Sequence, residues 1–341
     1  MGFALGRRRF ARMAATALTL AAASTTLAAC GSNDSGADTA DGSAEGKTVM
    51  LLAGANSNTW AGYFNKVFTE KMEAEGVEVK QMLTLSPTEQ VQQLREAVAQ
   101  KPDAIVITLL DNKATVLGLQ QAKQAGVPVI TFDGPPDPSV EGDVRSVLSD
   151  NPALGELAAE NLIEGLKAQG KDEANVIAIG GLKSMLLTQQ RQEAFDEKMK
   201  EAPGIKILET TDSQWNPTLA LEQAQQLIAK YGKDNIDAAY GMSDYLAIPL
   251  IQAAKQAGMK VGGDGGLVVV SGNCFKAGID AIKAGEMYGT NTEDPGTLAE
   301  ETAKYTTQFL AGEDPEQTVT IKEERITPEN VDQFAEQCSK A

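Results

Sequence analysis

The sequence predicts an α/β fold of two similar lobes, each a parallel sheet with helices on both faces, and three observations predict it. Short β-branched runs alternate with helical stretches from Lys47 to the C-terminus. The pattern also occurs twice. Asp103-Ala104 opens the run Ile105-Val106-Ile107-Thr108, and a helix then closes in Ala122-Lys123-Gln124-Ala125-Gly126. Asp237-Ala238, 134 residues after the first pair, opens Ala239-Tyr240-Gly241, and a helix closes in Ala254-Lys255-Gln256-Ala257-Gly258. Finally, matching strands end in polar residues, Asp133 after Val127-Pro128-Val129-Ile130-Thr131-Phe132 and, 140 residues later, Asn273. Ligands of open α/β sheets bind at that strand edge, so two such lobes face each other across a cleft. A helix-cap or turn role is the alternative for Asp133.

Taken in order, Lys47 to Gly54 reads as the first buried strand, followed by the loop Ala55 to Trp60 and a helix from about Ala61 to Glu75. After a strand at Val77 to Leu83, Ser86-Pro87-Thr88-Glu89 starts a helix: the serine caps, the proline fits the first turn and the glutamate reaches back. The same polar-residue-plus-proline start recurs at Asn151-Pro152, Asn216-Pro217, Asp294-Pro295 and Thr327-Pro328. Val144 to Leu148 runs into Ser149-Asp150-Asn151, where the chain first crosses between lobes. Strands follow near Asn175 to Ile179, Ile205 to Thr210, Ala238 to Gly241 and Leu267 to Ser271. The helices between them lie near Leu186 to Lys200, Pro217 to Lys230, Asp244 to Gln256 and Ala277 to Ala284. Met287 to Thr292 is a last strand, and the chain returns at Glu293-Asp294-Pro295 for a helix to Leu310, a strand at Thr318 to Lys322 and a tail helix from Pro328.

Residues 1–29 read as an export signal, with Arg7-Arg8-Arg9-Phe10-Ala11-Arg12 before an alanine-rich apolar stretch. The arginines fit either ordinary secretion or the twin-arginine form. Leu27-Ala28-Ala29-Cys30 resembles a bacterial lipobox, which makes Cys30 a lipidation site, and residues 30–46 a tether too poor in apolar side chains to order itself. Extracytoplasmic attachment to the outer face of the cell membrane by that lipid follows. Loss of the four arginines takes the formal charge from −17 to −21, which argues against nucleic acid as a partner. Cys274 and Cys338 remain, in an oxidising compartment, either as two separate thiols or as a disulfide whose closed loop is worth roughly 4 kcal/mol in the chain-entropy model.

There is no histidine, so the commonest general base and metal ligand is missing, together with every Ser-His or Cys-His dyad. Gly241-Met242-Ser243-Asp244-Tyr245 lacks the second glycine of a nucleophile elbow, and Gly46-Lys47-Thr48 lacks the first glycine of a phosphate loop. No enzyme, cofactor or metal is expected. Gly180-Gly181 follows a strand and can approach a ligand closely. The two tryptophans, Trp60 and Trp215, both fall in loops after strands. Flat aromatic rings among polar groups suit the C–H faces of a sugar or polyol, and local packing is the alternative.

Together these features resemble the type I periplasmic binding proteins, of the ribose- and galactose-type solute-binding kind that serves ABC importers. The resemblance covers about Lys47 to Ile326. It is carried by Ala125-Gly126-Val127-Pro128-Val129-Ile130-Thr131-Phe132-Asp133, by Ser149-Asp150-Asn151 and by Gln190-Arg191-Gln192-Glu193-Ala194-Phe195. It implies two Rossmann-like lobes, 47–149 with 293–325 and 150–292 with 326–341, on a three-strand hinge. It also implies a monomer that gives a monosaccharide or polyol to a membrane permease. The family's first-lobe contacts fall on Asn58, Trp60, Asp133 and, more weakly, Thr108. Those of the second lobe and hinge fall on Arg191, Trp215, Ser243 with Asp244 beside it, Asn273 and Glu293. Gly134, Asn273 and Ser243 stand where such proteins often carry arginine, aspartate and asparagine, so other monosaccharides and polyols compete with ribose as the ligand. A signalling receptor of the same fold, for a furanosyl autoinducer or a sensor-kinase partner, is the other reading.

Overall fold

The computed structural model describes residues 42–340; the expected signal peptide, Cys30 and the tether up to residue 41 lie outside the described residues. The last residues of the expected tether, which ends at Gly46, pack on the first lobe. Ala44 is buried against the first core, and the Gly46 N–H donates to the Gly76 carbonyl at 3.0 Å.

The chain then alternates through β1 (Thr48–Ala53), α1 (Thr59–Ala74), β2 (Glu78–Leu83), α2 (Pro87–Gln100), β3 (Ala104–Ile107), α3 (Asn112–Ala125), β4 (Val129–Asp133) and β5 (Arg145–Ser149). The second half runs through α4 (Asn151–Ala168), β6 (Ala174–Gly180), α5 (Leu186–Met199), β7 (Ile205–Asp212), α6 (Pro217–Tyr231), β8 (Ala238–Gly241), α7 (Asp244–Gln256), β9 (Val268–Ser271), α8 (Lys276–Lys283) and β10 (Thr290–Asn291). Last come α9 (Pro295–Leu310), β11 (Thr318–Ile321), β12 (Arg325–Ile326) and α10 (Val331–Cys338). One parallel sheet has the order β11-β5-β4-β3-β1-β2 and the other β7-β6-β8-β9. In both, the first strand lies between the second and third, so β4 and β9 hold equivalent places.

The repeated Asp-Ala pair has a physical cause. Asp103 accepts from the Thr48 N–H at 2.8 Å and Asp237 from the Asn175 N–H at 2.9 Å. Each pins the start of one strand to the start of its neighbour. Each lobe then buries its own core: Phe132 stacks on Phe64 at 4.0 Å in the first and Phe195 on Tyr240 at 4.2 Å in the second. Burial of such rings contributes roughly 1.5–3 kcal/mol apiece, which makes each sheet a rigid mount for its strand ends.

Several expectations change in detail. Met287 to Thr292 forms only the two-residue β10, because Tyr288 and Gly289 bond across to β9 instead (Tyr288 N–H to Val269 O, 2.7 Å). β10 pairs antiparallel with β12, which joins the two returning crossings. Asp150, not Asn151, caps α4, and the tail helix begins at Val331, since Thr327 is engaged by the Asn330 side chain. Glu89 bonds to Thr84 instead of completing a capping box with Ser86. Among the described residues no helix is long and apolar enough to cross a membrane.

Candidate ligand-binding site

The C-terminal ends of both sheets meet at a cavity of about 70 Å³. Asn58, Trp60, Thr108, Asp133, Arg191, Trp215, Asn273 and Glu293 all line it.

Asp133 ends β4 in the left-handed region, φ 67°, and Asn273 lies just beyond β9 at φ 82°. Asp and Asn tolerate this conformation better than other residues with side chains, and here it turns the chain sharply at both equivalent strand ends. Strained backbone of this kind gathers at binding sites, and Gln214 (φ 54°) and Trp215 (φ 57°) add to it. Asn151, the first residue of α4, ties the pieces together. Its Nδ2 donates to the Asp133 carbonyl at 2.7 Å, and its Oδ1 accepts from Arg191 Nε at 2.7 Å. Arg191, on α5 in the second lobe, thus reaches the Asp133 carboxylate of the first lobe at 3.4 Å. Both residues are buried, at 3% and 7% exposure.

Glu293, on the second crossing, accepts from Trp60 Nε1 at 3.1 and 3.2 Å. Burial pushes the Glu293 and Asp133 carboxyls upward, opposed by the Arg191 guanidinium, and the two carboxylates also raise each other's cost of ionisation. The guanidinium stays charged, because Glu293 and Asp133 offset its own desolvation. One cation therefore serves two buried acids, and a ligand hydroxyl that donates to either lowers the cost of its charge.

Trp60 lies in the first turn of α1 and not in a loop; it stacks on Phe64 at 5.6 Å. Trp215 does lie in a loop, its Nε1 on the Met185 sulfur at 3.1 Å and its ring 5.9 Å from the Arg191 guanidinium. Asn58 caps α1 with its Oδ1, while its Nδ2 crosses to the Trp215 carbonyl and the Tyr245 hydroxyl, each at 3.4 Å. Thr108 Oγ1 and Asn273 Oδ1 are buried with no partner in the protein. Buried polar atoms seldom remain so, and these two offer themselves to a ligand.

Two expected positions do not line the cavity. Asp244 turns into its own lobe, where its carboxylate accepts from Ser271 Oγ, from Thr290 Oγ1 at 2.6 Å and from the Phe275 N–H at 3.0 Å. Burial holds its pKa up at about 7 against those donors. Ser243 is fully buried at the start of α7. Gly181 meets a protein ring: a Cβ there would lie 2.1 Å from Trp215. At Gly134 a Cβ would lie 2.9 Å from the Leu187 side chain of the opposite lobe, which would have to shift to admit an arginine.

Tyr245 and Asn151 join this network and were not among the expected contacts. Tyr245 follows the N-cap Ser243 by two residues, as Trp60 follows the N-cap Asn58, and that offset is the signal that marks it. Cys274 and Cys338 form a disulfide, Cα–Cα 4.8 Å, which fastens α10 beside the Asn273 turn.

A model of the periplasmic binding protein domain matches residues 49–314. The chain is 24% identical over 308 residues to the fructose import binding protein FruE of Bifidobacterium longum, covering 89% of this chain and 90% of that protein. It is 28% identical over 220 residues to the galactofuranose-binding protein YtfQ of Escherichia coli, covering 64% and 68% of the two chains. The crystal structure of a galactofuranose binding protein superposes with a TM-score of 0.78 at 25% identity, over 85% of this chain and 98% of that one.

Proposed function

The chain belongs to the periplasmic binding protein family, a family of extracytoplasmic binding proteins and not of enzymes, and from that premise we propose that it captures a monosaccharide or polyol for an ABC importer. The observation that carries this reading is the Asp133–Arg191 pair, a carboxylate and a guanidinium brought from opposite lobes into one buried cavity. A polyhydroxylated ligand between them accepts from the guanidinium and donates to the carboxylate, while Trp60 and Trp215 offer aromatic faces to its C–H surface. Sugar binding by FruE and YtfQ, as their names state, supports the same ligand class.

Closure is the mechanism. A ligand held by both lobes stabilises the closed arrangement by the contacts it makes only there, and the hinge converts that difference into a shape a permease can recognise. Leu27-Ala28-Ala29-Cys30 supports a lipid anchor at Cys30 that holds the receptor, as a monomer, at the outer face of the membrane.

A thermal-unfolding screen of residues 42–341 against pentoses, hexoses and polyols tests the reading. A cognate ligand at a hundred times its dissociation constant adds about 2.7 kcal/mol of stability. No response to any of these compounds contradicts the proposal.

A further inference from the structure

Resting on the sugar-receptor reading, we infer that the preferred ligand is a terminal-deoxy sugar, hydroxylated around its ring and ending in a methyl group. One wall of the cavity is aliphatic. Leu110, just beyond β3 in the first lobe, meets Leu182, Met185 and Leu187 of the second in a cluster separate from either lobe's core. All four line the same cavity as Asp133 and Arg191.

The side chains of this wall carry no free polar atom, and several of its backbone groups are already taken. The Leu110 N–H donates to Gln90 Oε1 at 2.9 Å and its carbonyl accepts from Ser184 Oγ at 2.6 Å. The Leu182 carbonyl accepts from the Met185 N–H at 3.1 Å, and the Met185 sulfur from Trp215 Nε1 at 3.1 Å. Unpartnered Asn65 Oδ1, Thr108 Oγ1 and Asn273 Oδ1 belong to residues of the polar part of the cavity. A primary hydroxyl laid against the leucines is stripped of water and finds no partner, whereas a methyl group fills the same space and loses nothing. An apolar wall discriminates against one added hydroxyl by up to about a hundredfold, so a preference of roughly ten- to a hundredfold is expected.

Calorimetric titration with matched pairs tests this: D-galactose with D-fucose, L-mannose with L-rhamnose, D-ribose with 5-deoxy-D-ribose and D-arabinose with 5-deoxy-D-arabinose. Tighter binding of the deoxy member in the pairs that bind, by about tenfold or more, is the expected result. Equal or tighter binding of the parent overturns the inference and leaves the receptor reading intact; silence from every pair and from the wider sugar and polyol screen removes both. Leu182 is half-buried in a loop, so Leu182→Asn keeps the fold, as its unfolding temperature will report. In that variant the preference for the deoxy member shrinks toward unity. An unchanged preference overturns the assignment of the wall.

Discussion

At the scale of single residues, the ordering of charge in the cleft decides the outcome. Arg191 is held by Asn151 and shared between Asp133 and Glu293, so its removal leaves two buried carboxyls without their cation as well as a ligand without its donor. Arg191→Ala is therefore expected to weaken binding of the cognate sugar by about 2–5 kcal/mol in a calorimetric titration, as when one member of a buried charge pair is truncated. A loss below about 0.5 kcal/mol contradicts the role given to it. Most of this constellation was legible from the strand ends and the family resemblance, because a residue at the end of a buried strand has little freedom in where it points. Asp244 was not legible. It sits one residue before Tyr245, which lines the cavity, and at a helix start one position decides whether a side chain faces the cleft or its own lobe; three donors inside the lobe drew it inward.

At the scale of elements, the hinge is the informative unit. The second and third crossings are tied by the Thr292 N–H to the Glu324 carbonyl at 3.0 Å and by Thr292 Oγ1 to Glu323 at 2.9 Å. Burial, with the charges of Asp133 and Asp150 adding to it, raises the Glu323 carboxyl from 4.5 to about 7. A carboxyl whose folded pKa exceeds its unfolded one favours the fold while protonated, and that contribution is lost as pH rises through the folded value. Chemical denaturation of the ligand-free domain is thus expected to show stability falling between pH 5 and pH 8; Asp244, also raised to about 7, shares that window, and the part due to half-exposed Glu323 is on the order of 1 kcal/mol. Glu323→Gln makes the slope shallower by that part; an unaltered slope in the variant contradicts the assignment. The helices and central strands were read from the sequence to within a few residues, since periodicity and caps are local. The antiparallel pairing of β10 with β12 was not, because two-residue strands carry no pattern of their own and exist only where the lobes bring them together.

At the scale of the molecule, two sheets of matching order present equivalent strand ends to one another, and the polar edges left there form the site. The internal repeat showed this in the sequence. What it did not show was the aliphatic seam of Leu110, Met185 and Leu187, whose members lie in different lobes and meet across the cleft. Both tryptophans, the only two in the chain, lie on the cavity wall. Tryptophan emission consequently reports on the cleft. Titration with a sugar that raises the unfolding temperature is predicted to change tryptophan emission saturably, with the change abolished in Arg191→Ala at the same sugar concentrations. A sugar that stabilises the protein while leaving the emission of both Trp60 and Trp215 untouched would contradict the account, since it would bind somewhere other than between the lobes.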